Sequence, residues 1–285
     1  MSAPLRERAR DVAGLVTARE VREGAGVLVR RSIGGPELDH LDPFLLLDEF
    51  RSNEAADYSA GFPDHPHRGF ETVTYMLAGS MEHRDHRGNV GHLAPGSVQW
   101  MTAGRGIVHS EMPRQERGLM WGFQLWVNLP AVQKMTEPRY QDIPPERIPE
   151  VELPGARVRV IAGQTGGVRG AVEGIATDPV YLDVRLESGG AFEQPLPAEH
   201  NAFVYVYEGT AQLGDVSERK VLRGQLAVLG PGPRVLISAP GAPARALLVA
   251  ARPLGEPIAR YWPFVMNTRE EIVQAVSDFR EGRLG

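Results

Sequence analysis

Two pairs of metal-ligand residue types constrain this chain more than any other feature. His65 and His67 form the first pair, and His109 and Glu111 form the second. In an extended strand, residues i and i+2 point to the same face, so the members of each pair can reach one point together if they lie on a strand. If the two strands are neighbours, three imidazole nitrogens and one carboxylate oxygen converge. The spacing therefore predicts a β-structure built around one metal ion.

Glycine and proline punctuate the rest of the chain. The 285 residues include 32 glycines and 23 prolines without a low-complexity repeat, which predicts many short strands joined by tight turns. Residues 70–76 are β-branched and aromatic, and residues 119–127 alternate apolar with mixed positions, as strands do. The other predicted strands are 27–33, 81–85, 97–102, 157–162, 180–186, 202–207, 225–229, 234–238 and 246–251.

A proline-rich segment separates the predicted strands into two groups. Five prolines stand between residues 133 and 155, and this density predicts a connection without regular structure. After the last strand, Thr268 and Glu271 form a capping box ahead of apolar residues at helical spacing. We therefore predict a flexible lead-in at 1–23, a first barrel at 24–135, a linker at 136–155, and a second barrel at 156–285 that includes a helix at 268–281.

The two groups of strands resemble each other. Residues 72–79 align with 202–209, and residues 94–99 align with 222–227. At these offsets the four ligand positions fall on residues that do not bind metals, namely Pro195, Pro197, Ile237 and Ala239. One interpretation is a duplication whose second copy kept the scaffold and has no ligands. The alternative is that any two all-β domains share such turn patterns.

Charge and composition argue against several functional classes. A net charge of −5 without a basic stripe gives no reason to expect direct nucleic-acid contact. The absence of cysteine excludes disulfides and thiolate metal sites, and it permits a cytosolic location. Apolar runs such as 202–207 are too short to span a bilayer, and the Arg-rich N-terminus lacks the apolar core of a signal peptide. We predict a cytoplasmic protein with a small-molecule ligand, no membrane or nucleic-acid partner, and room for a protein partner.

Two strings around the ligand pairs closely resemble the pirin family of bicupins. They are His65-Pro-His-Arg-Gly-Phe-Glu-Thr-Val-Thr74 and Gln99-Trp-Met-Thr-Ala-Gly-Arg-Gly-Ile-Val-His-Ser-Glu111. Residues 125–130, 199–205 and 263–268 also resemble the family, in the family's order. One departure is Trp262, where a glycine is expected, and it affects the packing of the tail alone.

The resemblance implies an all-β bicupin fold, with two antiparallel β-barrels of jelly-roll type and one metal, usually iron, in the N-terminal barrel. Carried over by motif, the metal ligands are His65, His67, His109 and Glu111. The family includes members with quercetin 2,3-dioxygenase activity and a eukaryotic nuclear transcriptional cofactor. The chain is therefore expected to be a dioxygenase that opens a flavonol ring with O2 and releases CO. The alternatives are an iron-binding, redox-responsive regulatory protein that binds a partner without turnover, and a barrel with a vestigial or structural metal.

Three imidazoles and a carboxylate suit Fe(II), and they also suit Mn, Ni, Co, Cu or Zn. Four protein ligands on an octahedral ion leave two positions, enough for a flavonol chelate and O2. Glu111 is the predicted catalytic residue, which takes the proton of the flavonol 3-hydroxyl. A carboxylate beside a cation is normally a weak base, so Glu111 is expected to detach or shift on substrate binding.

Other ionisable residues near the two pairs have weaker patterns. Glu71 is expected to accept a hydrogen bond from a ligand imidazole or to be an ordinary structural or surface carboxylate. His83 and His86 lie in a polar hairpin and are predicted to be solvated, as are His92 and His40.

Overall fold

Short antiparallel strands dominate the computed structural model, which describes residues 8–261 and 263–285. The strands in chain order are β1 (Val12–Thr17), β2 (Arg19–Glu23), β3 (Val27–Ile33), β4 (Phe44–Ser52), β5 (Phe62–His67), β6 (Phe70–Ala78), β7 (Met81–Asp85), β8 (Val90–Leu93), β9 (Val98–Thr102), β10 (Ile107–Pro113), β11 (Met120–Asn128), β12 (Arg139–Ile143), β13 (Glu150–Leu153), β14 (Ala156–Ala162), β15 (Gln164–Thr165), β16 (Val168–Arg169), β17 (Val180–Leu186), β18 (Gly190–Pro195), β19 (Asn201–Glu208), β20 (Thr210–Leu213), β21 (Arg219–Leu222), β22 (Gln225–Leu229), β23 (Arg234–Ala239), β24 (Ala244–Ala251), β25 (Ala259–Tyr261) and β26 (Phe264–Met266). The helices are α1 (Arg269–Arg280) and the 3-10 turns Ala55–Asp57, Ala131–Gln133 and Pro145–Arg147.

The chain forms two compact units, and the first comprises residues 19–147 and 254–285. We call this unit the N-terminal barrel. It has a seven-stranded sheet in the order β12-β9-β6-β11-β4-β3-β2 and a four-stranded sheet in the order β5-β10-β7-β8. The strands that carry the two ligand pairs, β5 and β10, are hydrogen-bonded neighbours in the four-stranded sheet. The convergence that the spacing requires is therefore built into this topology.

The second unit comprises residues 1–18 and 148–253, and we call it the C-terminal barrel. Its sheets follow the order β1-β22-β19-β24-β17-β14-β13 and β18-β23-β20-β21, which repeats the order of the N-terminal barrel except at one edge. There the strand is β1, which comes first in the chain, whereas the N-terminal barrel has β12, which is the last strand of its sheet in chain order. This repetition supports the duplication. The strands equivalent to β5 and β10 are β18 and β23, and they carry Pro195, Ile237 and Ala239 at ligand-equivalent positions. Ile237 and Ala239 are buried in an apolar core instead.

Most predicted elements are present. β3, β7, β17 and β22 have the predicted bounds, and the other predicted strands differ by a few residues at their ends. The capping box is also present, because the Thr268 side chain accepts a hydrogen bond from the Glu271 backbone and the Glu271 side chain accepts one from the Thr268 backbone. These elements had local signals, either a run of strand-forming residues bounded by turns or a helix cap.

The prediction of a flexible lead-in at 1–23 is wrong from residue 12 onward. Val12–Thr17 pairs with β22 as an edge strand of the C-terminal barrel, and Arg19–Glu23 pairs with β3. Residues 12–17 are mainly apolar, with Val16 buried and Val12 and Leu15 packed against the core of the C-terminal barrel. The prediction judged the whole segment by the charged residues on either side and overlooked this strand. Residues 1–7 of the predicted lead-in lie outside the described residues, as does Trp262.

The prediction of an irregular linker at 136–155 is also wrong. β12 lies between Pro138 and Pro144, and β13 lies between Pro149 and Pro154. A proline outside a strand removes no hydrogen bond from the ladder, so these residues mark the ends of strands and do not interrupt them. β12 belongs to the N-terminal barrel and β13 to the C-terminal barrel, and the units divide at residue 147.

The prediction that the C-terminal helix belongs to the second barrel is wrong. The helix is part of the N-terminal barrel, although it follows the second barrel in the chain. Ile272 and Ala275 of α1 share an apolar cluster with β26 and with Val108 of β10. Burial of these residues against a ligand strand explains why the chain returns to the first unit. Among the described residues, no helix has both the length and the apolar character that crossing a bilayer requires.

Candidate metal centre

The three histidines of the ligand pairs lie together. His65 on β5 is directly opposite His109 on β10, and His67 is two residues further along β5. Ring centroids are 4.3 Å apart for His65 and His109, 4.7 Å for His65 and His67, and 4.9 Å for His67 and His109. One ring nitrogen from each lies within 4.8 Å of the others. Within residues 8–261 and 263–285, no other His, Asp or Glu group comes together in this way.

Nitrogen atoms of this histidine cluster lack partners. Nδ1 of His67 and Nε2 of His109 are buried and have no hydrogen-bond partner among the described residues. Nδ1 of His65 lies 2.8 Å from the carbonyl oxygen of Pro63, which leaves its Nε2 as the nitrogen that can bind a metal. Leaving a buried polar atom unsatisfied costs about 1–3 kcal/mol, and a metal ion would satisfy each of these atoms. Three imidazole donors therefore fit a transition metal at this position.

Burial keeps the cluster in the form that binds metals. It lowers the pKa of His67 and of His109 well below the usual value of 6.5, and the neighbouring His65 lowers both further. Neutral imidazole is the ligand form, because a protonated ring has no free lone pair. Both histidines are consequently ready to bind a cation at neutral pH.

The same pKa shifts make metal-free protein sensitive to acid. Unfolded histidines take up protons below about pH 6.5, whereas buried His67 and His109 do not, so the free energy of unfolding should fall as pH decreases through this range. The expected slope is about 1.4 kcal/mol per pH unit for each of the two histidines. Urea denaturation of chelator-treated protein between pH 7 and pH 5 measures it.

A matched pair of variants isolates the contribution of the cluster. His67→Gln and His109→Gln should each reduce the slope by about 1.4 kcal/mol per pH unit. A His67→Gln slope equal to that of the wild type would contradict the assignment.

Glu111 lies beside the cluster but outside the group of three close nitrogen donors. It is buried on β10, and its two oxygens accept hydrogen bonds from neutral donors. Thr74 Oγ1 donates to Oε1 at 2.9 Å, and Gln124 Nε2 donates to Oε2 at 2.9 Å. The register between β10 and β5 shifts after His109, so Glu111 stands opposite Phe62 and not opposite Pro63. Two side chains of the seven-stranded sheet thus donate hydrogen bonds to the Glu111 carboxylate beside the cluster.

Two members of the cluster, His65 and His67, open onto one cavity of about 450 Å³ together with Glu111. Its lining includes His65, His67, Glu111, Thr74 and Gln124. The remaining walls are mainly apolar and include Val29, Leu46, Phe50, Phe62, Met81, Trp126 and, from α1, Phe279. This volume and lining are typical of a small-molecule site.

The prediction that His83 is solvated is wrong. Its side chain on β7 is 1% exposed, and its Nε2 lies 2.7 Å from Nδ1 of His109 in a hydrogen bond. One feature of the sequence could have revealed this. His83 lies two residues after Met81, which lines the cavity, so both side chains point to the same face of β7. The pairing of β7 with β10, which places His83 opposite Glu111, has no local signal in the sequence. The polar residues around it concealed its inward direction.

The other predictions for ionisable residues had mixed outcomes. His40, His86 and His92 are exposed, as predicted. Glu71 is buried, so the surface alternative is wrong, and its Oε1 accepts a hydrogen bond of 2.6 Å from Thr102 Oγ1. Burial raises its pKa. Its partner is therefore a strand hydroxyl within the seven-stranded sheet.

Two antiparallel barrels of equal strand order, one with a histidine cluster facing a cavity, define a bicupin. The Pirin family model matches residues 26–127, and the model of the Pirin C-terminal cupin domain matches residues 181–285. The chain belongs to the pirin family.

Relatives of known name support this assignment. The chain is 50% identical to a Pseudomonas aeruginosa protein provisionally named quercetin 2,3-dioxygenase, over 97% of this chain and 99% of the relative. It is 47% identical to pirin of Homo sapiens, over 95% of this chain and 92% of the relative. The crystal structure of an Acinetobacter baumannii quercetin 2,3-dioxygenase superimposes with a TM-score of 0.89 at 34% identity, over 97% of this chain and 99% of that one.

Proposed function

We propose that this pirin-family protein is a metal-dependent dioxygenase that oxidises flavonols such as quercetin with O2, opening the central ring and releasing CO. One observation carries the proposal: His65 and His67 of the three-histidine cluster line the same cavity of about 450 Å³ as Glu111, and the remaining walls of this cavity are mainly apolar. The names of the Pseudomonas and Acinetobacter relatives support the same activity. A fold alone does not define an activity, so the site is the stronger support.

The residues that would hold the metal are His65, His67 and His109, with Glu111 as the fourth ligand. The ion is proposed to be one divalent transition metal, Fe(II) in the first place, with Mn, Ni, Co, Cu or Zn as alternatives. When bound, it supplies a Lewis acid and one-electron chemistry with O2.

Glu111 is proposed to act as the general base. A flavonol hydroxyl that enters the cavity beside the cluster transfers its proton to a carboxylate oxygen of Glu111. Thr74 and Gln124 fix this carboxylate through one hydrogen bond to each oxygen. Both donors are neutral, so they orient the carboxylate without cancelling its charge. Positioning of the base relative to the substrate is the contribution of these two side chains.

The apolar walls have a separate task. Phe62, Met81 and Trp126 face the cavity that His65, His67 and Glu111 also line. Aromatic and thioether side chains offer no hydrogen bonds strong enough to hold water, so a flat ligand displaces it readily. Exclusion of water strengthens the electrostatic interactions of Glu111 and protects reactive intermediates.

The direct test of this function is oxidation of quercetin by iron-loaded protein. An oxygen electrode and a CO assay should show consumption of O2 and release of CO in equal amounts, with loss of the flavonol absorption band. Protein treated with a chelator is the control and should be inactive. Absence of O2 uptake in protein that contains stoichiometric iron would contradict the proposal.

A second candidate function is a redox-responsive binding protein without turnover, and one contact favours it. Arg68, which follows His67 in the chain, is buried and donates to Asp278 Oδ2 on α1 at 2.7 Å. A change at the cluster could therefore alter the position of a helix that has an exposed face. Iron-loaded protein that does not oxidise quercetin, but whose partner affinity differs between Fe(II) and Fe(III), would favour this candidate.

His83 is expected to set the strength of metal binding through His109. If Nε2 of His109 binds the ion, its Nδ1–H donates to His83 Nε2, and this bond fixes the ring orientation and tautomer. Replacing His83 with leucine should weaken metal affinity about 10- to 100-fold. Glutamine offers an acceptor at a similar reach, so His83→Gln should recover most of the loss. Competition with a chromogenic chelator measures both variants.

The control for His83 is the exposed His92 on the adjacent strand β8. His92→Leu should leave metal affinity unchanged. Equal affinities of His83→Leu and wild type would show that the bond to His109 has no role in metal binding.

A further inference from the structure

A row of polar side chains crosses the cavity wall away from the histidine cluster. Thr74 on β6 stands opposite Gln124 on β11, Gln124 stands opposite Asp48 on β4, and Asp48 stands opposite Arg31 on β3. All four side chains line the cavity. Adjacent strands are about 4.8 Å apart, so Asp48 and Arg31 lie about 10 and 14 Å along the sheet from Thr74. The row thus links the Glu111 end of the cavity to a second polar end.

The second end is formed by Arg31 and Asp48, which we call the distal pair. Arg31 Nε donates to Asp48 Oδ1 at 2.9 Å, and Nη2 donates to Oδ2 at 2.7 Å. Nη1 of Arg31 also lies 2.8 Å from Glu23 Oε1. The Arg31 and Asp48 side chains are 18% and 7% exposed, and that exposure lies at the cavity. The pair is rigid because two parallel hydrogen bonds fix it.

The distal pair can still bind a ligand. Its three contacts use three of the five N–H groups of the Arg31 guanidinium. Each carboxylate oxygen of Asp48 has a further lone pair. The pair therefore offers a donor and an acceptor side by side, which is what a phenolic hydroxyl needs, since it both donates and accepts.

The wall between the two polar ends restricts the ligand further. Leu46, Phe50 and Trp126 line the cavity with apolar surface, and two of them are planar aromatic rings. A ligand that satisfies all three parts is a flat aromatic molecule with chelating oxygens at one end and hydroxyl groups at the other.

We propose that the distal pair binds hydroxyl groups on the pendant phenyl ring of a flavonol, which lies farther from the chelating oxygens than the fused ring does. The pair would thereby select flavonols in which the pendant ring is hydroxylated. This inference rests on the proposed function, because it takes the chelating end to lie at the histidine cluster. It assigns Arg31 and Asp48 a role in specificity in addition to their contact between strands. A purely structural ion pair would affect thermal stability without distinguishing between ligands.

The test compares two flavonols that differ at the pendant ring alone. Quercetin has two hydroxyl groups there, and galangin has none. Titration calorimetry with protein loaded with Zn(II), which has no redox chemistry, gives both dissociation constants without turnover. Hydrogen bonds to charged groups predict that wild-type protein binds quercetin about 10- to 100-fold more tightly than galangin. A wild-type ratio near one would overturn the proposal without any variant.

Variants of β3 then assign the selectivity to the pair. Arg31→Met should reduce the quercetin-to-galangin ratio to within about threefold and leave galangin affinity unchanged, and Arg31→Lys should keep part of the ratio. The adjacent Arg30 pairs with Glu20 and does not line the cavity, so Arg30→Met is the matched control and should keep the full ratio. An Arg31→Met ratio equal to that of the wild type would overturn the proposal.

Failure of the proposed function can be distinguished from failure of this inference. Selective binding of quercetin to Zn(II)-loaded protein, with no O2 uptake by iron-loaded protein, would refute the dioxygenase and support the distal pair. Quercetin and galangin oxidised with equal kcat/KM and bound with equal affinity would support the dioxygenase and refute the distal pair.

Discussion

Substitution of His67 by alanine is expected to abolish metal binding at micromolar metal and, with it, flavonol oxidation. His67 supplies one of three clustered nitrogens, and its ring packs against Phe70 and Trp126 at centroid distances of 5.0 and 5.2 Å. Neither of these two rings can bind the metal in its place. The affinity loss should exceed the roughly 10- to 100-fold loss that is usual when a residue that hydrogen-bonds to a metal ligand is replaced. Chelator competition and an oxygen electrode measure the two effects.

The variant needs two controls, because removal of a buried ring also leaves a cavity. Circular dichroism should show that His67→Ala keeps its β-structure, and any loss of stability should be compared with the roughly 2–5 kcal/mol usual for large-to-alanine core changes. Substitution of the exposed His40 by alanine should change neither metal affinity nor turnover. Wild-type metal affinity in folded His67→Ala would refute the assignment of this residue as a ligand.

Replacing Glu111 with glutamine should lower kcat about 10²- to 10⁴-fold, because general-base catalysis typically contributes that much. Glutamine has nearly the same shape and can still accept the hydrogen bond from Thr74, so the cavity should persist. It cannot accept the hydroxyl proton as a carboxylate does. Three imidazoles remain, so saturating metal should still load the variant, and turnover is compared at equal metal content.

A companion variant separates the base from its positioning groups. Gln124→Leu removes one hydrogen bond to Glu111 and should reduce kcat much less than Glu111→Gln does. Metal-loaded Glu111→Gln with full turnover would remove the base from the mechanism. A variant that binds no metal even at saturation would instead assign Glu111 a dominant role as a ligand.

Elements and site residues with a short-range sequence pattern were predictable from the sequence. Turn residues on either side located β7 with its exact bounds, and the capping box located the start of α1. The spacing of His65 and His67 was enough to predict a shared face, and the family resemblance supplied the neighbouring strand. The resemblance implied that Glu111 lies at the site, but it did not show the hydrogen bonds from Thr74 and Gln124 to its carboxylate.

Features that depend on pairing between distant strands escaped prediction. His83 was judged by its polar neighbours in the chain, whereas its surroundings are determined by β10. Arg31 and Asp48 are 17 residues apart and meet only through the register of β3 and β4. The N-terminal strand β1 pairs with β22, more than two hundred residues later, and no local pattern carries that information. Tertiary context decided each of these cases.

The central claim is that three histidines on two adjacent strands hold one ion inside the N-terminal barrel. Anomalous X-ray scattering at the iron absorption edge, from crystals of protein loaded anaerobically with Fe(II), tests it most directly. The expected result is one strong peak per chain within bonding distance of nitrogens of His65, His67 and His109. A crystal whose protein contains stoichiometric iron, but whose anomalous peak lies elsewhere or is absent from this cluster, would contradict the claim.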